Sequence, residues 1–270
     1  MPGGSSSRTG KRVAALAADE VQVLADTLAA APATPAGVHE ARKSIRRLRS
    51  LLALVRIALG KADVQAIDDA LNAMAKGLSA LRDGQVVLET AHHCERHAGG
   101  AEEVASWGTL IPLLAHQQEY RVAGALADDP GFMRRQAQAH RLAERLRALP
   151  WRRLHADHLR HGLARSVRRQ QRAQEVALAS GDLDDLHHLR RTSRRLRMQL
   201  NAMKRLRVPT HGVAVASRDI AALVDQLGTL QDLALLQQAL DAIEPTPPTH
   251  VWPTAARRRM ARPSPIHPLA

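Results

Sequence analysis

Apolar residues recur at every third or fourth position through most of the chain, the spacing that gathers one stripe on one side of a helix. The pattern predicts helices over Lys11–Ala30, Val38–Leu59, Ala62 to about Leu81, and about Gly84 to His97, with APATPAG closing the first. A less regular amphipathic stretch follows Gly99-Gly100 and runs to the turn signal Asp128-Asp129-Pro130-Gly131. Further helices are predicted over about Phe132–Leu149, Trp151–Ala179, Leu183–Arg207 and Val213–Ile243, the last with a break around Gly228. No segment alternates at strand period, so the expected fold class is all-α.

Composition strengthens that reading, because apolar residues make up 45% of the 270 positions while aromatics make up only 2%, leaving Ala and Leu to form the core. The expected organisation is a polar tail over residues 1–10, a first helical unit over 11–127, a second over 128–244, and a disordered basic, proline-rich tail over 245–270. The apolar runs near the N-terminus are broken by Asp19, Glu20 and Asp26, so no signal peptide is expected. No stretch approaches the length of a membrane span. The single cysteine, Cys94, excludes an internal disulfide, and the cytoplasm is the default location.

The two units share a motif. HEARKSIRRLR at His39–Arg49 returns as HHLRRTSRRLR at His187–Arg197, an offset of 148 residues. At about 100° per residue, His39, Arg42, Lys43, Arg46 and Arg49 fall in one sector, opposite Ala41, Ile45, Leu48 and Leu52. His187, Arg190, Arg191, Arg194 and Arg197 do the same in the second copy, opposite Leu189, Leu196 and Leu200. A further basic residue stands at the same distance downstream in each, Arg56 and Lys204. A second paired element follows: SALRD at Ser79–Asp83 and GTLQD at Gly228–Asp232, whose acids are expected to cap a helix or pair with an arginine.

Charge turns the repeat into a candidate site. Lys+Arg total 39 against 26 Asp+Glu, a formal charge of +13, and only five of the 39 are lysine. Like charges one helical turn apart repel, and a solvated face normally mixes signs, so a basic stripe kept in both copies points to a ligand that neutralises it. Arginine forks at a spacing of about 5.4 Å per turn suit a linear polyanion better than a single small phosphate.

Through H-x-x-R-x-x-x-R-R-L-R in both halves and the L-R-D/L-Q-D element after each, the chain resembles the CHAD domain family, the conserved-histidine α-helical domains, from about Arg12 to Ile243. The resemblance implies two pseudo-symmetric four-helix bundles whose paired basic helices line a groove or pore that binds inorganic polyphosphate. By position, the family's histidines match His39 and His187, and its basic residues match Arg42, Arg46, Arg49, Arg190, Arg194 and Arg197, with Arg56 and Lys204 at the downstream position. Some relatives carry a triphosphatase domain with an E-x-E-x-K run, which this chain lacks, so the implied activity is non-enzymatic binding, with association to polyphosphate granules.

Other clusters carry weaker signals. His92, His93, Cys94 and His97 close a predicted helix, where His93 and His97 could hold a metal, though no metal site is expected. Arg165, Arg168 and Arg172 share a face of an arginine-rich helix that also holds His155, His158 and His161, and are secondary candidates for anion binding. No catalytic residue or cofactor is expected, since Walker loop, nucleophile elbow, H-E-x-x-H and C-x-x-C patterns are all missing. Nucleic acid is the alternative partner on charge alone, but three Trp, one Tyr and one Phe give little surface for stacking bases. Membrane binding is not expected, because the apolar faces are needed for the core.

Overall fold

A computed structural model describes the chain over residues 3–30, 32–210 and 217–243. Within these residues the chain folds into helices α1 (Gly3–Ala30), α2 (Pro35–Leu59), α3 (Lys61–Gly77), α4 (Ser79–Arg96) and α5 (Ala101–Asp128). They are followed by α6 (Met133–Ala148), α7 (Ala156–Ser180), α8 (Leu183–Arg205) and α9 (Ser217–Asp241), with short 3-10 turns at Pro130–Phe132 and Trp151–Arg153. The basic C-terminal segment 245–270 and the expected start of the last helix at Val213 lie outside the described residues.

Several boundaries follow local chemistry. Thr34 caps α2, its Oγ1 accepting from the Gly37 N–H at 3.1 Å, with Pro35 in the first turn, and Gly60 ends the helix at φ 101°. Asp182 caps α8 by accepting from the Asp184 N–H at 2.7 Å, after Gly181 turns the chain at φ 65°. The turn expected at Asp128–Gly131 is present. The buried Asp129 carboxylate fastens it by accepting from the Arg134 N–H at 2.8 Å and from the Arg135 guanidinium at 2.6 Å.

Three expectations are corrected. Helix α1 begins at Gly3, so most of the stretch read as a tail up to residue 10 is helical, and Gly10 lies against the Trp151 backbone. The division between the third and fourth helices falls at Leu78 rather than beyond Leu81, where the Leu78 side chain is fully buried and the Ala75 carbonyl accepts from the Leu78 N–H, the Ser79 hydroxyl and, at 2.7 Å, the Arg42 guanidinium. Helix α9 runs without a break through Gly228, which faces the Arg190 guanidinium, leaving space for it.

The largest core cluster draws on both halves: Leu24 of α1, Ile45, Leu48 and Leu52 of α2, Ile67 and Leu71 of α3, Leu142 of α6, Leu163 of α7 and Leu196 of α8. Helix α2 packs against α1, α3, α7 and α8, and α4 packs against α9, so the halves share a core, and α9 covers the repeat equivalents of the end of α3 and most of α4. Smaller clusters close the ends, Trp107 and Leu114 of α5 with Leu236 and Leu240 of α9, and Ala173 and Ala177 of α7 with Leu223 and Leu227 of α9.

A close join between the halves depends on Gly162 of α7, where a Cβ would collide with the Leu54 carbonyl and come within 2.8 Å of the Leu54 Cα. In an isolated helix Gly→Ala stabilises by about 1 kcal/mol, but Gly162→Ala should cost about 1–3 kcal/mol through this overlap. Gly124→Ala, which meets no atom within 4 Å, should instead be neutral or stabilising. Thermal melts of the two variants check the opposite signs.

Candidate anion site between the two basic helices

Helices α2 and α8 cross where Ser50 Oγ meets Met198 Sδ at 3.5 Å and Gln199 Nε2 donates to the Ser50 carbonyl at 3.0 Å. Ser50 and Met198 are equivalent positions of the repeat, so the basic stripes meet at matching points. One turn earlier on each helix stand Arg46 and Arg194, close enough that the charge of Arg46 lowers the proton affinity of Arg194. Burial, followed by the charges of Arg42, Arg82 and Arg190, pushes Arg46 down to about 10, and burial followed by Arg46, Arg190 and Arg42 pushes Arg194 down to about 9. Both remain cations at pH 7.

Arg42 and Arg190 flank this pair, each lowered chiefly by burial. Arg42 spends Nη1 on the Ala75 carbonyl and the Ser79 hydroxyl, at 2.7 and 2.8 Å. Its counterpart Arg190 lies against Gly228, where Ser79 stands in the first copy, and reaches Asp232 at 3.7 Å. The Nε groups of Arg42, Arg46 and Arg190 are buried and have no acceptor among the described residues. A buried, unmatched guanidinium N–H is costly, and three of them within one basic cluster mark a place where an anion would stabilise the chain.

Carboxylates in the cluster are few. Asp83 and Asp232, repeat equivalents expected to be structural, are both raised by burial, an effect opposed by Arg42 and Arg82 at Asp83 and by Arg190 and Arg82 at Asp232. Each therefore faces an arginine. Arg82 of α4 was missed by sequence reasoning, although its charge is felt by His39, Arg42, Arg46, Asp83 and Asp232. The signal that could have found it is the repeated LRD/LQD element, in which Arg82 is the equivalent of Gln231.

The histidines sit at one end of the stripe. His39 is lowered by burial and by the charges of Arg82 and Arg46. His187 meets Gln231 through Nδ1 and Oε1. Lys43 pairs with Glu40 at 2.9 Å near the surface, and the exposed Arg191 lies 3.4 Å from His188 while still adding positive charge at Arg194.

The remaining candidates stand elsewhere. Arg49 is clamped by Asp68 at 2.8 and 3.1 Å and by Asn72 at 2.7 Å, and Arg197 pairs with Asp225 at 3.0 Å, so both fasten the basic helices to the next helix. Arg56 lies in a separate cleft with Lys61, Arg165 and Arg169, whereas Lys204 lines a groove with Glu20, Arg47 and Arg205. Arg165, Arg168 and Arg172 come together on α7 in a shallow groove with Asp185 and His188 of the α7–α8 hairpin.

His92 pairs with Glu95 and His97 bonds the His93 carbonyl; among the described residues no three His, Cys, Asp or Glu side chains gather into a metal-holding group. His158 and His161 serve the start of α7, Nδ1 of His158 taking the His155 N–H. No helix among the described residues is long and apolar enough to cross a membrane.

A family model described as "CHAD domain" matches residues 9–241. Among solved structures, the crystal structure of the CHAD domain from the plant Ricinus communis superposes with a TM-score of 0.60 over 95% of this chain and 84% of that one, at 19% identity, which speaks for the fold. No curated protein matches the chain.

If the buried arginines oppose folding, Arg46→Met with Arg194→Met should stabilise the ligand-free protein by about 1–3 kcal/mol. For a chain of this size that is roughly 2–4 °C in Tm per kcal/mol. Raising salt should lift the Tm of the native sequence more than that of the variant, and a lowered Tm in the variant would show that the cluster is held by other forces.

Proposed function

We propose, because the chain belongs to the CHAD domain family, that it binds inorganic polyphosphate along the basic faces of α2 and α8. The observation that carries this reading is the set of buried Nε–H groups on Arg42, Arg46 and Arg190 with no acceptor among the described residues, in a cluster where Arg46 and Arg194 repel one another. A phosphate chain supplies what the site lacks: acceptor oxygens at short intervals and negative charge at each residue. One small anion would satisfy one fork and leave the rest of the row repelling.

Binding would be non-enzymatic. The groups around the phosphates are guanidinium and imidazole, which hold charge in place, and the two nearby carboxylates, Asp83 and Asp232, each face an arginine rather than a reacting phosphorus. A module of this chemistry would collect at polyphosphate granules in the cytoplasm. Duplex DNA carries the same charge on a wider rod, whose phosphates would have to reach half-buried guanidiniums; it therefore serves as the competitor in the test.

Calorimetric titration with long-chain polyphosphate should give tight, salt-weakened binding that duplex DNA fails to displace. Replacing Arg42, Arg46, Arg190 and Arg194 together with Ala should abolish binding while leaving the helical circular dichroism in place. Equal displacement by DNA would overturn the assignment in favour of nucleic acid.

The pH dependence follows from His39, whose proton affinity is lowered from 6.5 in the free protein by burial and by Arg82 and Arg46. A bound polyanion raises it again, so the complex carries an extra proton between the two values and affinity increases as pH falls, by at most about tenfold per unit for one proton. The free fold has the opposite dependence: with the folded value depressed, it loses stability as pH falls from 6.5 toward that value. Titrations from pH 8 to 5.5 should show the rise in affinity, and His39→Gln should flatten it.

A further inference from the structure

Two grooves flank the crossing of α2 and α8, and the repeat relates them. In the first, Glu20 of α1, only 5% exposed, accepts from Arg47 of α2 at 3.3 Å and Arg205 of α8 at 2.9 Å, beside Lys204. One buried carboxylate thus closes the groove. Shifted by the 148-residue offset, Arg47 becomes Arg195, Lys204 becomes Arg56, and Glu20 becomes Arg168. The second copy keeps two of these cations, has Ile57 in place of Arg205, and lacks the buried carboxylate, since Arg168 lines the neighbouring groove on α7 instead.

That second groove is a cleft of about 200 Å³ in which Arg56 of α2, Lys61 of α3, Arg165 and Arg169 of α7 and Arg195 of α8 converge. Asp68 is the acid in its wall, and it is already engaged by Arg49 at 2.8 and 3.1 Å. Among the described residues none of those five cations has an ion pair, and Arg195 is lowered by burial and by the charge of Arg49, an effect that Asp68 opposes and that Arg169 and Arg191 reinforce. A buried cation held among like charges is unfavourable unless something neutralises it.

We propose that this cleft is a second anion site, separate from the crossing of α2 and α8, and that it takes a compact oligophosphate group of two or three phosphoryl units. Glu20 suffices where two arginines meet it, but five cations call for more charge than one carboxylate carries. They approach from four helices around a small volume rather than along one row, which favours a compact group over an extended chain. Their mixture of arginine forks and a lysine suits the oxygens of adjacent phosphates. The inference stands apart from the polyphosphate reading, because Arg56, Lys61, Arg165, Arg169 and Arg195 are not the groups that reading relies on.

The test is calorimetric titration with inorganic triphosphate of the full chain and three variants. The native sequence should bind one equivalent. Arg165→Ala with Arg169→Ala should weaken this about tenfold or more, and the exposed Lys61→Ala a few-fold, while Arg46→Met with Arg194→Met should leave it nearly unchanged. Long-chain polyphosphate should show the reverse dependence if the crossing is its site. Absence of triphosphate binding at millimolar concentration, or binding lost with Arg46→Met and Arg194→Met but indifferent to the α7 and Lys61 substitutions, would overturn the second site. In the Arg46→Met, Arg194→Met variant, competition by long-chain polyphosphate would identify chain ends as the source of the group, and its failure to compete would identify free oligophosphate; either result keeps the site.

Discussion

Repulsion between Arg46 and Arg194, where α2 and α8 cross, is the constraint around which the rest of the structure is arranged. Two cations of like sign are held close together by apolar packing on the opposite faces of their helices, Ile45 and Leu48 on one and Leu196 on the other. The surrounding polar groups limit the cost without removing it. Ser79 and the Ala75 carbonyl take Arg42, Asp232 approaches Arg190, and Asp68 and Asp225 draw Arg49 and Arg197 aside. What remains unmatched is concentrated in the middle of the row, as expected of a fold that keeps part of its stabilisation for a bound ligand.

The elements of this arrangement that were legible in the sequence are those set by periodicity. The basic stripe was readable because its spacing keeps Arg42 and Arg46 on one face with Ile45 opposite, and because the same pattern returns 148 residues later. The all-α class followed from the same periodicity. The end of α3 was misplaced because burial of Leu78 and a bond from the distant Arg42 to the Ala75 carbonyl, added to those from Leu78 and Ser79, help to fix it, and no side-chain cap in the sequence signals that. Gly228 reads as a helix break, yet it serves as a gap in a continuous helix for Arg190. Arg49 and Arg56 belong to the stripe by helical angle, but position along α2 and partners on other elements take them out of its centre. Arg82 was missed because its repeat mate is the uncharged Gln231.

The repeat also shows how two copies of one unit diverge under a shared packing constraint. Gly162, against the Leu54 backbone, and Gly10, against that of Trp151, allow close joins between helices of opposite halves. The charges flanking those joins have separated: Glu20 neutralises one groove from within, while its equivalent Arg168 adds to the positive field of the other side. A symmetric scaffold thereby carries an asymmetric potential, and the direction in which a polyanion lies across it is open to selection by those charges.

The central claim is that the unmatched Nε–H groups of Arg42, Arg46 and Arg190 meet phosphate oxygens. Proton–nitrogen correlation spectra of the arginine Nε–H groups, assigned by single Arg→Lys substitutions and followed during titration with long-chain polyphosphate, test it most directly. The account predicts that these three resonances shift downfield and become protected from exchange with water as polyphosphate binds, with little change on adding duplex DNA. Polyphosphate binding that leaves all three resonances unmoved would contradict it.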